Sequence, residues 1–600
     1  MNIVINGKKA VLKKGVSFDF ISENSLFTGA DSYTLSITFP LEGCRDNIDI
    51  FGYINRKDCD IGKVLLDCEI HDAMFHAYGA INIVEISETE VKTQFLEGRS
   101  VQNYASDLDE TYINEIAIGE AWTFAHFTPD WYTAYVGQEH YTGYICIPWV
   151  NNTSGNMQNK MYRNSAGSWA YVPDGPEGRD DPTVACQYYL IWVLERILEA
   201  VGYKADISAI TRSSYRHLVI FNTFPVAWNI DEWGLCLPHW TVAEFLEQVE
   251  YFLNGAFTVD SKAKRISFRF HKDMMAEQNI YIINNVVDEH QVEISDKENM
   301  QESYVEQMNF AYAEANHNMQ KFYDCDWARL QLGYFSYASF DGMKSTLDNQ
   351  GLLEIAGAYP NTAQLRKLLY VSGINTFFVL NCYKRKFDND IKKMVHYMRL
   401  QPVNLFAPHF SDSEEKDKTE LGIVPVCIDH TEDRYGDAVF LECGTYGDVE
   451  DYENEEQSLV VNALMDGARE QKEEFYDKIY VGFWNGLENT AAGKDYVPLP
   501  WIDNYYVTPG NVMRYTHMQE PEDYSMRLRG NRVNEYRRTK YNVDQSKKYT
   551  FKFLVKDSGI PDVQSVFLIH GKKYLAEKIT ATFSEKGMSQ LVKMVAYRIS

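Results

Sequence analysis

The sequence predicts a multidomain, β-rich α+β protein with β domains at both ends of the chain. Alternating apolar and polar residues, the pattern of half-buried strands, occur at 32–39 and again at 549–553. Helical periodicity is clearest in the middle of the chain, at 183–201 and 241–253. Because 600 residues exceed what one hydrophobic core supports, several domains are expected.

Residues 1–100 are predicted to form a small β-barrel or sandwich of short strands. The alternation at 33–39 ends at Pro40, which cannot donate a hydrogen bond to a neighbouring strand. The apolar positions of 48–50, followed by Gly52, are interpreted as another strand before a turn. Further strand-like apolar runs occur at 64–66 and 81–86. The next stretch, 101–180, is rich in Tyr and Trp and is interpreted as a connecting β/loop region.

Residues 181–290 are predicted to form an α+β domain. A helix is expected over 183–201, with Gly202 as its C-cap. A second helix is expected to begin at Thr241, because Thr241 and Glu244 have the spacing of a capping box. The buried face of this helix is expected to consist of Phe245, Val249, Phe252 and Leu253. Two strands are expected after it, at 256–260 and 265–270.

Residues 291–545 are weakly patterned, and residues 546–600 return to β-strands. Acidic stretches at 411–415 and 448–456 are interpreted as solvated loops, with calcium binding as the alternative. A helix is expected from Leu459 to about Ile479.

The two ends of the chain share a short motif. Ile5-Asn6-Gly7-Lys8-Lys9 and Ile569-His570-Gly571-Lys572-Lys573 both place Gly-Lys-Lys after an apolar run. Two hairpins could be written this way by chance, and a duplicated β domain would leave the same trace.

No catalytic, cofactor or metal site is predicted, and no cofactor is expected. The sequence lacks HExxH, GxSxG and phosphate-loop motifs, and its ten cysteines include no CxxC pair. His71 and His76 are five residues apart, which does not place both on one face of a helix. Asp429-His430 has no assignable Ser or Cys partner. Acidic pairs such as Asp107 with Asp109, and Asp388 with Asp390, are expected by chance among 85 acidic residues.

The charge balance disfavours a protein that grips nucleic acid. The chain has 58 Lys and Arg against 85 Asp and Glu, a net charge of −27, whereas gripping DNA needs a basic footprint. The basic residues at 537–540 and 547–548 form a modest patch, which is a solvated turn or a contact to an acidic neighbour. No signal peptide or membrane-spanning run is present in the sequence, so synthesis in the cytoplasm is expected.

Several segments resemble tail-hub proteins of tailed phages, prophages and contractile injection systems. Residues 25–40 and 47–52 are similar to the first tube-forming domain of that family. The segment 240–246, with 257–260 and 266–268, resembles the α+β module between its two tube domains. Residues 567–574 through 597–599 are similar to the ending of large tail proteins of phages of gut bacteria.

This resemblance implies a structural, non-enzymatic protein of the virion tail. It implies a homotrimer whose paired tube-type β-barrels form a ring, which joins the tail tube to a tail tip, spike or fibre. DNA would be only in passage through the ring. In the implied organisation, residues 1–100 form the first barrel, 101–180 connect it to the next domain, and 181–290 form the α+β domain. Residues 291–545 contain the start of the second barrel and a large insertion, and residues 546–600 complete the second barrel.

Two other functions stay open. Aromatic residues also line sugar-binding clefts, so a carbohydrate-binding tail-tip or cell-surface adhesion protein is one alternative. A tail-associated cell-wall hydrolase, with its site hidden in 295–545, is the other.

Overall fold

A computed structural model provides the architecture of most of the chain. The residues it describes are 1–24, 27, 32–34, 36–58, 64–73, 75–98, 107–118, 145–146, 148–152, 157–159, 161–163, 169–171, 185, 187–222, 234, 236–260, 263–276, 279–287, 290–295, 310–312, 334–349, 368–372, 376–387, 390–400, 419–431, 437–441, 477–488, 499–503, 526, 543–556 and 559–600.

Strands dominate these residues. In chain order they are β1 (Asn2–Ile5), β2 (Lys8–Ala10), β3 (Ser17–Glu23), β4 (Ser32–Thr34), β5 (Ile37–Pro40), β6 (Leu65–Asp72), β7 (Phe75–Ile86), β8 (Glu90–Glu97), β9 (Ile145–Cys146), β10 (Trp149–Asn152), β11 (Met157–Gln158), β12 (Met161–Arg163), β13 (Trp169–Tyr171), β14 (Gln187–Tyr189), β15 (Lys204–Asp206), β16 (Leu218–Phe221), β17 (Gly255–Asp260), β18 (Arg265–Phe270), β19 (Ile280–Ile283), β20 (Gln291–Ile294), β21 (Phe310–Tyr312), β22 (Tyr334–Tyr337), β23 (Leu368–Val371), β24 (Thr376–Phe387), β25 (Asp390–Leu400), β26 (Thr419–Leu421), β27 (Ile423–Pro425), β28 (Cys427–Thr431), β29 (Asp437–Leu441), β30 (Ile479–Glu488), β31 (Leu499–Asp503), β32 (Val543–Leu554), β33 (Val566–Ile569), β34 (Lys572–Ser584) and β35 (Gly587–Ile599).

Short helices lie between these strands, most of them in the middle of the chain. They are α1 (Arg45–Phe51), α2 (Asp107–Glu110), α3 (Leu190–Ala200), α4 (Ser208–Thr211), α5 (Val242–Leu253), α6 (His271–Ala276) and α7 (Phe340–Asn349), with 3₁₀ turns at Ile113–Glu115 and Ser214–His217. The β-rich, multidomain α+β class predicted from the sequence is confirmed.

Both ends of the chain build one large sheet. Its strands follow the order β2-β1-β6-β7-β8-β4-β3-β34-β35-β32-β20, with β5 beside β8 and β19-β33 branching from β34. The path is open, because β2 and β20 lie at its two ends and do not pair with each other. The sequence predicted a separate closed barrel at each end of the chain. Instead, the described strands of the two ends form a single, open sheet.

One hydrophobic core supports this sheet and draws on both ends of the chain. Ile3, Phe20 and Phe95 from the first hundred residues pack in the same buried cluster as Phe551 and Phe583 from the last sixty. Burial of several such rings, each about 150–250 Å² in area, supplies the main favourable term for joining segments so distant in sequence.

A second core lies in the middle of the chain. It packs helices α3 and α5 against the sheet β27-β30-β16-β14-β9, on which β31 pairs with β30. β27 and β30 belong to the weakly patterned region 291–545, and they pair with each other and, through β30, with β16. That region therefore contributes strands to the middle core. The described residues also form a separate eight-stranded sheet, whose strands come from 149–158 and 334–441 and follow the order β11-β10-β29-β28-β25-β24-β23-β22.

The predicted capping box is confirmed. The Oγ1 of Thr241 accepts a hydrogen bond from the Glu244 amide at 3.1 Å, and Glu244 Oε2 accepts one from the Thr241 amide at 2.7 Å. The following helix, α5, ends at Leu253, and Asn254 caps it in the left-handed conformation. The strand pair predicted after it is also confirmed, as β17 and β18.

Two local predictions need correction. The segment 48–50, interpreted as a strand, lies in helix α1, which buries Asn47 and Phe51 and ends at Gly52 with a φ of 70°. A run of only three residues fits either period, so the tertiary contacts decide. The helix expected from 183 begins at Leu190, because 187–189 form β14, which pairs with β16. Gly202 follows this helix with a φ of 81°, as expected for a residue just past a helix end.

Several predictions lie outside the described residues. These are the acidic stretches 411–415 and 448–456, the basic residues 537–540, and the helix expected from Leu459, apart from its end, where Ile479 begins strand β30. The domain boundaries stay predictions.

Candidate assembly surface

The two ends of the chain meet at a seam between β3 and β34. Residues 17–23 pair antiparallel with residues 578–584 in one uninterrupted register. Antiparallel strands of this length place alternate side chains on one buried face. Phe18 stacks on Phe583 with ring centroids 5.5 Å apart, and Phe20 meets Phe583 edge to face at 6.3 Å. The seam is therefore a paired and packed junction within a single fold.

Polar side chains fix the register of this seam. Asn24 is fully buried, and its Nδ2 donates to the carbonyls of Ala576 at 2.9 Å and Val563 at 3.2 Å. Thr582 Oγ1 donates to Asp19 Oδ1 at 2.7 Å across the seam. Buried amides cost free energy unless paired, so Asn24 specifies one alignment of the strands.

Asp72 ties a second point of the N-terminal strands to the C-terminal hairpin. Its Oδ2 accepts from the Met588 amide at 2.7 Å, and its Oδ1 lies 3.2 Å from the Met1 ammonium. Gly587 has a φ of 118°, and a Cβ there would lie 2.9 Å from the Asp72 carboxylate. Only glycine fits that turn beside the carboxylate without strain.

The motif shared by the chain ends forms the same turn twice. Asn6 and Gly7 have φ values of 47° and 77°, and His570 and Gly571 have 48° and 75°. Two consecutive residues with positive φ define the type I′ hairpin turn. The surroundings differ, since β1 pairs antiparallel with β6 whereas β33 pairs parallel with β19. The repeat therefore extends to the hairpin and not to its strand partners.

One end of the sheet is closed. β2 exposes Lys8 and Lys9 and buries Ala10. Immediately after it, the buried Asn47 of α1 accepts from the Val11 amide at 2.9 Å and donates to the carbonyls of Val11 at 2.8 Å and Pro40 at 2.7 Å. Exposed lysines and a covering side chain are the usual protection of a sheet edge. We call β2 with Asn47 the closed edge.

The opposite end is open and apolar. All four residues of β20 are exposed, and Ile294 is 81% and Val292 40% exposed. β20 pairs with β32 on one side and with no described strand on the other. β19, the last strand of its branch, exposes Ile280 and Ile282 by 59% each. We call β20 the open edge; such an edge is a template for another strand.

An ion pair lies next to the open edge. Lys548 of β32 faces Glu293 of β20 in the register, and its Nζ donates to Glu577 Oε1 at 2.9 Å. Burial acts to raise the pKa of Glu577, but hydrogen bonds from Lys548 and Tyr597 outweigh it, so the pKa lies below its ordinary value. Burial, and then the bond to Glu577, raises the pKa of Tyr597. Lys548 thus has a structural partner, whereas the neighbouring Lys547 is exposed.

Two histidines that are five residues apart in the sequence lie side by side in the structure. His71 and His76 are cross-strand partners on the β6–β7 hairpin, and their rings stack with centroids 4.2 Å apart. A spacing of five does not place two residues on one face of a helix, but a two-residue hairpin loop places residues five apart opposite each other. Among the acidic pairs, Asp109 is exposed at the end of α2. Asp390 begins β25, its partner Asp388 lies outside the described residues, and Asp429-His430 lies in β28.

No family model and no curated protein matches the sequence. Among solved structures the chain is similar to the crystal structure of the 43 kDa tail protein of prophage MuSo2 from Shewanella oneidensis, at 8% identity and a TM-score of 0.28, covering 100% of this chain and 97% of that one. A similarity this low supports no inference on its own. No helix among the described residues is long and apolar enough to cross a membrane.

Proposed function

We propose that this chain is a structural, non-enzymatic subunit of a phage tail, a hub whose copies assemble into a ring between the tail tube and the tail tip. The observation that carries the proposal is the open edge at one end of a sheet built from both ends of the chain. The resemblance of residues 25–40 to tail-hub proteins, and of residues 567–574 to the ending of large phage tail proteins, gives the proposal its biological setting.

The seam makes the large sheet suitable as a rigid building block. A ring subunit must hold its two contact surfaces at a fixed angle, because small errors accumulate around a closed assembly. Seven paired residues between β3 and β34, a shared core and the buried Asn24 hold the two ends together. The sheet thus holds the open edge in a fixed position within one continuous hydrogen-bonded body.

The open edge supplies the attractive contact. A strand of a neighbouring copy that pairs with β20 would satisfy its outward backbone groups and cover Val292 and Ile294. The closed edge, with Lys8 and Lys9, would not pair with a second copy in the same way. The ring and its three copies come from the resemblance to tail-hub proteins, and a ring requires β20 to meet a surface of the neighbouring copy other than the closed edge.

The charge fits passage of DNA without capture. A wall with a net negative subunit charge of −27 does not trap phosphates, whereas a basic wall would. Tail-tube, spike and fibre proteins are then the partners at the two faces of the ring, and the virion tail is the location.

The test is the oligomeric state of the full chain. Light scattering coupled to size exclusion, over a wide range of protein concentrations, is expected to detect a trimer. The double variant Val292→Lys with Ile294→Lys is expected to be monomeric, because two ammonium groups would have to be desolvated at the contact. Electron microscopy of the wild-type oligomer is expected to show a ring with a central opening.

A matched control distinguishes loss of the contact at the open edge from a general effect of replacing an exposed apolar residue with lysine. Val84 is 60% exposed and lies at the bulge of β7, away from the open edge. Val84→Lys should leave the trimer intact. A wild-type chain that stays monomeric at every concentration argues against the hub, and a trimer that survives the double substitution argues against β20 as its contact.

A further inference from the structure

We propose that Glu69, His71 and His76 form a binding site for a divalent transition ion of the Zn²⁺ class at the tip of the β6–β7 hairpin. This inference is independent of the tail-subunit proposal, because it uses neither the open edge nor the seam between the chain ends. It rests on the placement and the chemistry of three side chains.

The hairpin places the three side chains on one face. His71 and His76 are directly opposed in the register, and Glu69 lies two residues before His71 on the same strand. Side chains two apart on a strand point to the same side of the sheet, as do directly opposed residues on neighbouring strands. The three groups are thus neighbours because of the strand register alone.

The donor atoms are already close. One ligand atom from each of the three residues lies within 4.8 Å of the others. His71 Nε2 is 3.0 Å from Glu69 Oε2, and the two imidazole rings are inclined by 17°. Donors bound tetrahedrally at about 2.1 Å are roughly 3.4 Å apart. Reaching that separation requires the His76 ring to turn about its side-chain bonds, out of its stack with His71.

The rest of the site permits this adjustment. The side chains of His71 and Glu69 are 42% and 31% exposed, and His76 is exposed, so an ion can enter directly and the rings can turn. The backbone beneath them is held in place, since the next residue, Asp72, binds the Met588 amide of the opposite hairpin. The hairpin tip is therefore a fixed platform that carries adjustable ligands.

The donor set selects the class of ion. Two imidazole nitrogens and one carboxylate oxygen suit Zn²⁺ and its neighbours Co²⁺, Ni²⁺ and Cu²⁺. Calcium and magnesium prefer oxygen-only sites and would gain little from the imidazoles. Three protein ligands leave a fourth position, which water or a donor from another molecule can occupy.

The experiment is titration of the full chain with Zn²⁺ in competition with a chromogenic chelator. His71→Ala and His76→Ala are each expected to weaken the tightest Zn²⁺ site by about tenfold or more, since even outer-shell changes cost metal sites about 10–100-fold. Glu69→Gln is expected to weaken it less than either histidine change. His290→Ala, which removes an exposed histidine beside the open edge, should leave Zn²⁺ affinity unchanged.

A second measurement reports ligand identity without relying on affinity. Electron paramagnetic resonance of the Cu²⁺-loaded chain should show coupling to two imidazole nitrogens, falling to one in either histidine variant. Circular dichroism of the metal-free variants should match that of the wild-type chain, because His76 lies on the surface. Equal Zn²⁺ affinity in the wild-type chain and in His71→Ala, or a Cu²⁺ spectrum unchanged by both substitutions, would overturn the proposal.

Discussion

The two edges of the large sheet differ although they belong to one hydrogen-bonded body. At the closed edge, Lys8 and Lys9 lie on the surface and Asn47 binds the backbone that follows. At the open edge, Val292 and Ile294 are exposed and no described strand pairs with the outer side of β20. Backbone groups at both edges have the same pairing capacity, so the side chains decide which edge accepts a partner. The following predictions test this difference, beginning with the largest expected effect.

Asn47→Ala should be the most damaging substitution at the closed edge. It removes the oxygen that accepts from the Val11 amide and the amide group that donates to the Val11 and Pro40 carbonyls, and it leaves these partly buried backbone groups without those partners. We expect a loss of about 3 kcal/mol in the free energy of unfolding, measured by urea titration. Asn55→Ala, which removes one exposed hydrogen bond to the Glu88 carbonyl, should cost less than about 0.5 kcal/mol. Equal costs for the two variants would mean that Asn47 does not hold the edge.

Asn24→Ala tests whether the two edges belong to one cooperative body. The variant loses the buried hydrogen bonds to the carbonyls of Ala576 and Val563, with an expected cost of about 2 kcal/mol. Hydrogen exchange should then accelerate together at amides of β1 and of β35. Acceleration confined to one of these strands would show that the seam does not couple the two ends.

The free energy of unfolding should have an acid-sensitive contribution from Glu577, whose ion pair with Lys548 lies next to the open edge. Its folded pKa lies below the ordinary carboxyl value of 4.5, so its contribution to stability is complete above that value and is lost as the pH falls through the folded pKa. Glu577→Gln should lack this component. The stability difference between wild-type chain and variant should shrink by less than about 1 kcal/mol on acidification from pH 7, because the pair with Lys548 is partly exposed. A difference that grows on acidification would contradict this sign.

Lys8→Val combined with Lys9→Ile should convert the closed edge toward the open type. Because both side chains are exposed, the free energy of unfolding should change by less than about 0.5 kcal/mol. Association should nevertheless rise with protein concentration, as measured by light scattering, because the lysines no longer oppose strand pairing. An unchanged association state would show that Asn47 and α1 protect this edge without the lysines.

Local signals in the sequence predicted local structure well. The capping box of Thr241 and Glu244 was predictable because its two hydrogen bonds join residues three apart. The hairpin at Asn6-Gly7 was predictable for the same reason, since its turn needs residues that accept positive φ. The segment 48–50 was misassigned because a three-residue pattern fits a strand and a helix equally well.

The candidate surfaces were hidden from such signals. The spacing of His71 and His76 does not fit one face of a helix, and only the register of β6 with β7 makes them neighbours. The open edge could not be predicted, because Val292 and Ile294 alternate with polar residues as in any half-buried strand. Whether β20 is the last strand of its sheet or has a neighbour on both sides depends on the pairing of the other strands.

The sequence by itself determined the β-rich class, the strands at both chain ends and the capped helix between them, because each depends on periodicity or on hydrogen bonds over a few residues. Only the tertiary structure decided that β3 pairs with β34, more than five hundred residues away, and that one sheet edge is covered while the other is exposed. Pairings at such separations depend on the packing of a shared core, and no short stretch of sequence specifies that packing.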